Sequence, residues 1–299
     1  MTLRALYDVP APAKINLFLH VVGRRADGYH LLQSVFALID WADTLHFESR
    51  ADGALARHDL GPALPADDLC LRAARALQAA SGTACGADIS IAKSVPWGAG
   101  MGGGSSDAAT TLLALNRLWG LRWPRAQLAA LGLTLGADVP FFVGGQNAFV
   151  QGIGERLQPM TLQPAHYAVV KPPSAIPTRD IFGSPLIKRD TKTVIVTGSL
   201  EDAGLASWPA EWGAENAGFG HNDLQAAAQD RCPEVAQAAR WLQARYGNSR
   251  MTGSGSAVFA RVGTESPPMA TFPADELPPG WVGQMCRSLG HHPLLGWAD

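Results

Sequence analysis

The sequence has no hydrophobic stretch long enough to cross a bilayer, because none of its apolar runs approaches the ~20 residues that a spanning helix needs. It also lacks a surplus of charge, since 24 Lys and Arg residues against 26 Asp and Glu residues leave a formal net charge of −2. A chain without a basic surplus is not expected to have nucleic acid as its main partner. We therefore expect neither membrane nor nucleic acid among the partners of this protein.

Cysteine is scarce, and its four copies are scattered along the chain at Cys70, Cys85, Cys232 and Cys286. No two have the CxxC spacing typical of zinc sites and redox motifs, so we expect reduced thiols rather than disulfides or a metal centre.

The pair His291 and His292 is expected to be exposed, because no cysteine or carboxylate flanks it at ligand spacing. The N-terminal residues have no long apolar stretch after Arg4 and are too poor in Ser and Arg for a transit peptide. Together these absences predict a cytoplasmic protein.

What the sequence does contain is a large apolar share, 47% hydrophobic against 17% charged residues in a chain of 299. This composition is globular and suits one large domain or two of ordinary size. Helical spacing of apolar residues predicts helices over 67–80, 124–133 and 233–246. Apolar runs predict strands over 11–22, 165–171 and 281–289, with a further apolar run over 31–45.

A glycine-rich stretch over 93–115 organises the chain. An apolar, strand-like run over 89–95 is closed by Pro96, and Ser105, Ser106 and Asp107 then open a run with apolar residues at 108, 112, 115 and 119, which is helical spacing. Between them lie Gly98, Gly100, Gly102, Gly103 and Gly104. Bare N–H groups and the helix dipole at such a turn favour an anion, so we predict a phosphate site rather than a plain surface loop. One of the glycines, Gly103, is expected to need a left-handed backbone.

Two familiar phosphate motifs nearly fit this loop, and both fail. The spacing of Gly98, Gly100 and Gly103 matches a dinucleotide fingerprint, but no acid follows between Asp107 and Asp138 to hold a ribose hydroxyl. A Walker loop needs Lys where this chain has a glycine before Ser105. A cation that assists the phosphates must therefore come from another part of the chain.

One candidate for that cation is Lys14. In a strand over 11–22, side chains alternate, so Lys14 and Asn16 project from the same face, opposite the apolar Ala13 and Ile15. The alternative is an edge-strand lysine that guards against aggregation.

The candidate acid is Asp138, which is the only charged residue between 135 and 144. An acid in apolar surroundings is costly unless it is paired or used. The alternative is a structural aspartate that caps a helix over 139–142.

The loop over 96–108, PWGAGMGGGSSDA, resembles the ATP loop of the GHMP small-molecule kinases. The triple glycine followed by Ser-Ser-Asp-Ala is most similar to the branch that phosphorylates 4-diphosphocytidyl-2-C-methyl-D-erythritol. The resemblance extends to the segments over 12–40, 176–182, 221–225 and 250–259 and to the GADVPFF stretch around Asp138. Gln225 departs from the pattern, because the family has Glu at that position.

The resemblance implies an α+β fold of two domains. Residues 1–160 would form a ribosomal-protein-S5-like ATP-binding domain, and residues 161–299 a ferredoxin-like α/β sandwich for the substrate. The implied reaction is ATP-dependent phosphorylation of the 2-hydroxyl of the small-molecule substrate in the non-mevalonate isoprenoid pathway, with ATP and Mg²⁺ as cofactors. We expect a monomer or weak homodimer.

The resemblance also assigns roles to residues. Lys14 and Asp138 would be catalytic, and Asn16, Tyr29, His30 and Phe182 would bind the substrate, with Tyr29 and Phe182 sandwiching the base and His30 reading its edge. The ATP-binding residues would be Pro96, Gly98, Ala99, Gly100, Met101, Gly102, Gly103, Gly104, Ser105 and Ser106. The magnesium ligands stay open, with one of the two serines as a guess.

Two other functions stay open. One is another GHMP kinase that phosphorylates a different alcohol, such as homoserine or mevalonate, and the other is a non-catalytic regulator that keeps the fold and binds nucleotide. The segment over 183–220, which holds Trp208 and Trp212, is predicted to be a loop.

Overall fold

The structure is a computed structural model that describes residues 3–194, 220–262, 272 and 276–299. The strands are β1 Ala5–Arg24, β2 His30–Arg50, β3 Leu55–Asp59, β4 Gly86–Ala92, β5 Ala148–Gly152, β6 Arg156–Pro159, β7 His166–Lys171, β8 Arg250–Met251, β9 Val258–Val262 and β10 Val282–Arg287. The helices are α1 Leu69–Ser81, α2 Gly103–Leu118, α3 Arg125–Leu133, α4 Val139–Gly144, α5 Thr178–Phe182, α6 Gln225–Arg231 and α7 Pro233–Tyr246. In this part of the chain, no helix has the length and hydropathy that crossing a bilayer requires.

The first sheet has the strand order β3-β4-β2-β5-β6, and β1 pairs with β2. Its two long strands, β1 and β2, run antiparallel over about twenty residues each and carry register shifts. Apolar residues of α1 to α4 pack against this sheet, with Leu77, Leu112 and Phe141 fully buried. The sheet and its four helices form the body that carries the glycine-rich loop, which lies between β4 and α2.

The second sheet has the strand order β10-β7-β9-β8, and all its pairs are antiparallel. In chain order these are the fourth, first, third and second strands, which is the arrangement of a ferredoxin-like fold. Helices α6 and α7 pack on it through Ala227, Val235 and Leu242. The α+β class and the two sheets are therefore as predicted. Of the 183–220 segment, the part with Trp208 and Trp212 lies outside the described residues.

Strand β1 departs from the predicted alternation. Lys14 and Asn16 do share a face, since their side chains hydrogen-bond to each other. Leu17 and its neighbour Phe18 nevertheless lie in one apolar cluster, because the pairing of β1 with β2 shifts register beyond Asn16. Lys14 is only 3% exposed, so the edge-strand alternative is wrong.

Helix boundaries also correct the sequence interpretation. Helix α2 begins at Gly103, after a left-handed Gly102, so the two serines and Asp107 lie inside the helix and do not cap it. Strand β4 ends at Ala92 rather than at Val95. Helix α1 fits the prediction closely, because the Asp68 side chain accepts the first-turn N–H of Leu71 and Gly82 ends the helix in a left-handed conformation.

The C-terminal tail returns to the first body. Leu294 joins the core of the first sheet, and the His292 N–H donates to the carbonyl of Gly145. Arg125 donates to the carbonyl of Ala298. His292 is therefore fully buried, and the expectation that both tail histidines are exposed is wrong for this one.

Candidate active site

A cavity of about 860 Å³ lies between the two sheets, and both bodies line it. Its lining includes all six residues predicted to be catalytic or substrate-binding: Lys14, Asn16, Tyr29, His30, Asp138 and Phe182. The backbone of Gly98, Gly100 and Gly102 forms one wall. The fold thus brings together residues that are up to 168 positions apart in the sequence, counted from Lys14 to Phe182.

Lys14 lies at the centre of this cavity. Its ammonium group donates to Asn16 Oδ1 at 2.6 Å and to the carbonyl of Gly100 at 3.3 Å, and it lies 4.4 Å from the centre of the Phe36 ring. Burial lowers the pKa of Lys14, and the nearby carboxylate of Asp138 offsets part of that shift. The fold thus places a lysine of strand β1 against the glycine-rich loop.

Asp138 lies opposite Lys14, with 3.6 Å between its Oδ2 and the lysine Nζ. It precedes helix α4, but its side chain makes no capping hydrogen bond, so the capping alternative is wrong. The carboxylate is partly exposed and lines the cavity. An acid whose partner is a buried cation, and which still faces a cavity, is placed to act on a bound molecule.

The glycine-rich loop is held by a second glycine segment over 252–257. The N–H groups of Ser256 and Ala257 donate to the carbonyls of Gly98 and Ala99. A Cβ on Gly100 would lie 2.3 Å from the carbonyl oxygen of Thr252, so only glycine fits there. Contact between these two distant segments fixes the loop backbone without covering its N–H groups by side chains.

Within the glycine-rich loop, the glycines with positive φ are Gly98, Gly100 and Gly102. Gly103 does not have one, since it is already the first residue of α2, so the expectation of a left-handed backbone there is wrong. A smaller cavity of about 250 Å³ opens on this loop, and Trp97, 77% exposed, stands at its side. Its lining contains the ten residues Pro96, Trp97, Gly98, Ala99, Gly100, Met101, Gly102, Gly103, Gly104 and Ser105.

Ser106 lies in neither cavity. Its N–H bonds to the carbonyl of Gly102, and its hydroxyl donates to the carbonyl of Pro12. Its N–H and its hydroxyl hydrogen are therefore both donated within the protein, and a role for Ser106 in ATP binding stays a prediction. Ser105 keeps a place in the smaller cavity.

Lys93, which the sequence interpretation did not single out, links three elements beneath the loop. Its ammonium group contacts Asp43 on β2 and Asp107 on α2. Asp43 also accepts the N–H groups of Ser94 and Val95, which lead into the loop. Burial raises the pKa of Asp107. The only sequence signal was a lysine and an aspartate that flank the glycines.

The far end of the large cavity is aromatic. The His30 ring stacks on Phe182, with 5.0 Å between ring centroids and an angle of 29°. Tyr29 is 60% exposed and does not face Phe182 directly, so the partner of Phe182 in this structure is His30 rather than Tyr29. Arg189, also missed from the sequence, donates from Nε to His30 Nε2 at 3.0 Å.

The contacts of Gln225 explain how it can replace the glutamate that the family has at this position. Its Oε1 accepts the buried N–H of Met251 at 2.9 Å. The neighbouring Asn222 donates to the carbonyls of Met251 and Gly253, so this segment anchors the second glycine segment. The contact needs an acceptor oxygen and no charge, which an amide supplies as well as a carboxylate does.

The fold and the site together define a small-molecule kinase of the GHMP class. The model of the GHMP kinases N terminal domain matches residues 68–146, and the model of the GHMP kinases C terminal domain matches residues 204–268.

Individual relatives narrow the class. The 4-diphosphocytidyl-2-C-methyl-D-erythritol kinase of Methylibium petroleiphilum is 65% identical over 299 residues, 100% of each chain. That of Variovorax paradoxus is 55% identical over 298 residues, 99% of this chain and 100% of its own. A crystal structure of 4-(cytidine 5'-diphospho)-2C-methyl-D-erythritol kinase is 34% identical, with a TM-score of 0.77 over 94% of this chain and 98% of its own. The chain therefore belongs to the GHMP kinases and, within them, to the 4-diphosphocytidyl-2-C-methyl-D-erythritol kinase family.

Proposed function

We propose that this protein phosphorylates the 2-hydroxyl of 4-diphosphocytidyl-2-C-methyl-D-erythritol, with ATP as the phosphoryl donor. GHMP kinases are ATP-dependent, and the relatives that match the whole chain carry the name of this substrate. The observation that carries the proposal is the pair of Lys14 and Asp138, 3.6 Å apart, at the point where the large cavity meets the glycine-rich loop.

Phosphoryl transfer needs positioning and neutralisation of charge more than covalent chemistry by the protein. In the proposed mechanism, the N–H groups of the loop up to Ser105 hold the ATP phosphates at the start of α2. Lys14 offsets negative charge between the substrate hydroxyl and the γ-phosphate. Asp138 accepts the hydroxyl proton as general base. The carbonyl of Gly100, the amide oxygen of Asn16 and the Phe36 ring surround the Lys14 ammonium group, so it is fixed before any substrate binds.

The aromatic end of the cavity is proposed to bind the cytosine base. Phe182 and Tyr29 supply apolar ring faces, and His30 supplies groups for hydrogen bonding at the base edge. Asn16 lies next to Lys14 and donates to Ser34 Oγ at 2.9 Å, and this position beside the lysine supports a contact with the sugar alcohol rather than the base. The cavity volume of about 860 Å³ is of the size that suits a nucleotide-linked substrate.

Magnesium is proposed as the metal that neutralises the β and γ phosphates. Mg²⁺ takes oxygen ligands and needs only one or two from the protein when phosphates are present. The described residues offer no cluster of three His, Cys, Asp or Glu side chains, which fits such a phosphate-held ion. Ser105 would supply a protein oxygen, since it lines the smaller cavity beside the loop.

Residues 1–160 are proposed to form the domain that carries the ATP loop, and residues 161–299 the domain that contributes Phe182 to the substrate cavity. The first sheet ends with β6 at Pro159, and the second begins with β7 at His166, which supports this boundary. A cytoplasmic location is proposed because all four cysteines are free thiols. Size-exclusion chromatography with light scattering tests the expected monomer or weak homodimer.

An assay of ADP release against a panel of alcohols tests the function. We expect turnover with 4-diphosphocytidyl-2-C-methyl-D-erythritol and little with mevalonate or homoserine. Preferred turnover of either smaller alcohol would assign a different GHMP activity to the chain. Nucleotide binding without turnover of any alcohol would favour the non-catalytic regulator.

A further inference from the structure

Arg189 lies behind the aromatic end of the large cavity and is held there by four hydrogen bonds. Its Nε donates to His30 Nε2 at 3.0 Å. Its terminal nitrogens donate to the carbonyls of Ser184 at 2.8 Å, Ile187 at 3.2 Å and Phe182 at 3.3 Å. One guanidinium group therefore ties the segment after α5 to the first residue of β2, and both residues of the stacked pair are attached to it.

The contact with Arg189 determines where the proton of His30 lies. A guanidinium group donates hydrogen bonds and cannot accept them, so His30 Nε2 must be the unprotonated acceptor. The single proton of the neutral ring is then on Nδ1. Burial and the positive charges of Arg189 and Arg24 lower the pKa of His30, which keeps the ring neutral. Within the described parts of the chain, no hydrogen bond engages Nδ1.

A fixed donor at the base edge distinguishes two bases. Cytosine presents an acceptor at its ring N3, whereas uracil presents an N–H donor at the same position. A donor on His30 can pair with the first base and opposes the second, and an unpaired buried polar group is the costly case in recognition. The other tautomer of histidine would reverse this preference.

We propose that Arg189 is a positioning residue that sets cytosine selectivity, by holding His30 as its Nδ1–H tautomer against Phe182. This inference rests on the proposed function, because it presupposes that a cytidine group occupies the aromatic end of the cavity. Arg189 itself contacts no reacting atom and acts through His30.

Steady-state kinetics of Arg189→Met test the proposal against the cytidine substrate and its uridine analogue. Methionine keeps an apolar stem of similar length and removes every donor. We expect KM for the cytidine substrate to rise, kcat and KM for ATP to stay within about twofold, and the cytidine-to-uridine ratio of kcat/KM to fall about tenfold or more. Arg189→Lys should restore part of the ratio, because an ammonium group can still donate to Nε2. An unchanged ratio in a folded Arg189→Met protein would overturn the proposal.

Arg179→Met is the matched control. Arg179 is on α5, its side chain is 96% exposed, and among the described residues its guanidinium group pairs with Asp180 alone, at 4.0 Å. The same substitution there should leave both substrates unaffected. An equal loss of selectivity in the two variants would mean that a change of net charge, and not the contact with His30, explains the result.

Nitrogen NMR of the histidine rings provides a readout that does not depend on activity and is made on the wild-type protein. In wild-type protein labelled with ¹⁵N-histidine, the His30 resonances are assigned by their loss in His30→Gln. We expect Nδ1 protonated and Nε2 unprotonated at neutral pH, and a larger response of these resonances to CDP than to UDP. A protonated Nε2 would refute the proposal. Failure of the proposed function would instead appear as wild-type protein that does not turn over the cytidine substrate, whatever the tautomer.

Discussion

At the scale of single residues, Lys14 and Asp138 each reduce the free-energy cost of the other's charge. A buried lysine loses the hydration of its ammonium group, and burial lowers its pKa. Asp138 counteracts that shift by its negative charge. The pair is open on one side, because Asp138 retains partial exposure towards the cavity. In the proposed mechanism, a substrate hydroxyl that enters there would meet a base and a cation that are already in position.

Asp138→Asn is expected to remove turnover and leave ATP affinity nearly unchanged. An amide cannot accept the hydroxyl proton as a carboxylate does, and loss of a general base typically costs 10²–10⁴-fold in rate, roughly 3–5 kcal/mol of barrier. Measurement of kcat, together with a nucleotide titration, checks both parts. Activity within about tenfold of wild type would disprove the general-base role. Asp67→Asn is the control, since that exposed carboxylate pairs with Arg75 of α1 and lines neither of the two cavities.

At the scale of elements, the connection from β4 to α2 depends on glycine at particular positions. Gly102 has φ of 72°, and a Cβ there would lie 2.9 Å from the Phe142 ring and 3.3 Å from Lys14 Cε. A side chain at Gly102 would therefore push on Lys14 as well as strain the loop. Gly103 has no left-handed φ, so a side chain there would not strain the backbone in this way.

Gly102→Ala is expected to raise KM for ATP at least about tenfold and to lower kcat, because the added methyl group displaces the loop and Lys14 together. Gly82→Ala is the matched control. Gly82 also has a left-handed φ, 67°, but a Cβ there meets nothing within 4 Å. It should lose about 1 kcal/mol of stability and keep both kinetic constants. Equal kinetics in the two variants would show that backbone strain alone explains the effect.

Another element-scale contact is the anchor of β8 by α6. Gln225→Ala removes the acceptor for the N–H of the fully buried Met251, so we expect a loss of about 1–3 kcal/mol in the free energy of unfolding. Gln225→Glu, the residue usual in the family, keeps an acceptor oxygen and should stay close to wild type. Urea denaturation of the three proteins measures the differences. A Glu variant as unstable as the Ala variant would indicate that the amide itself is required.

At the scale of the whole molecule, the tail over 288–299 ties the end of the second sheet to the first body. Ser288 pairs with Ile39, and His292 is enclosed between Gly145 and Leu294, whose N–H donates to His292 Nδ1. Burial lowers the pKa of His292 to about 3, with Arg125 and His291 adding to the shift. The charged imidazolium is thus disfavoured in the folded state.

Stability is therefore expected to fall as the pH drops. The unfolded chain takes up a proton on His292 near pH 6.5, whereas the folded protein resists until about pH 3. The contribution of this histidine is full above the unfolded pKa and is lost progressively between these two values, with several kcal/mol at stake.

His292→Asn tests this dependence, because the amide oxygen can still accept the Leu294 N–H but does not titrate. Denaturation between pH 7 and pH 4 should show a shallower loss of stability in the variant than in wild type. His291→Asn is the control, since the neighbouring histidine is exposed. Parallel curves for wild type and His292→Asn would contradict the role given to this residue.

The sequence by itself determined the local features of this protein and, through its motifs, its family. Spacing of apolar residues located α1, α3 and α7 to within two residues, because amphipathic helices carry their own period. Three features could be predicted as functional from the sequence, because each differs in residue type from the residues around it. They are the glycine-rich loop, the lone Asp138 and the lysine of β1. The resemblance of those motifs to one kinase branch then named the substrate class.

Only the tertiary structure decided which groups meet. Lys14 contacts Gly100 and Asp138, and the neighbouring Asn16 bonds to Thr252, 236 positions away. No local pattern encodes such a distance. The start of α2 at Gly103, the engagement of Ser106, the burial of His292 and the hold of Arg189 on His30 all follow from packing between elements. Local periodicity reports what a segment prefers, whereas burial, partners and protonation are set by the segments that surround it.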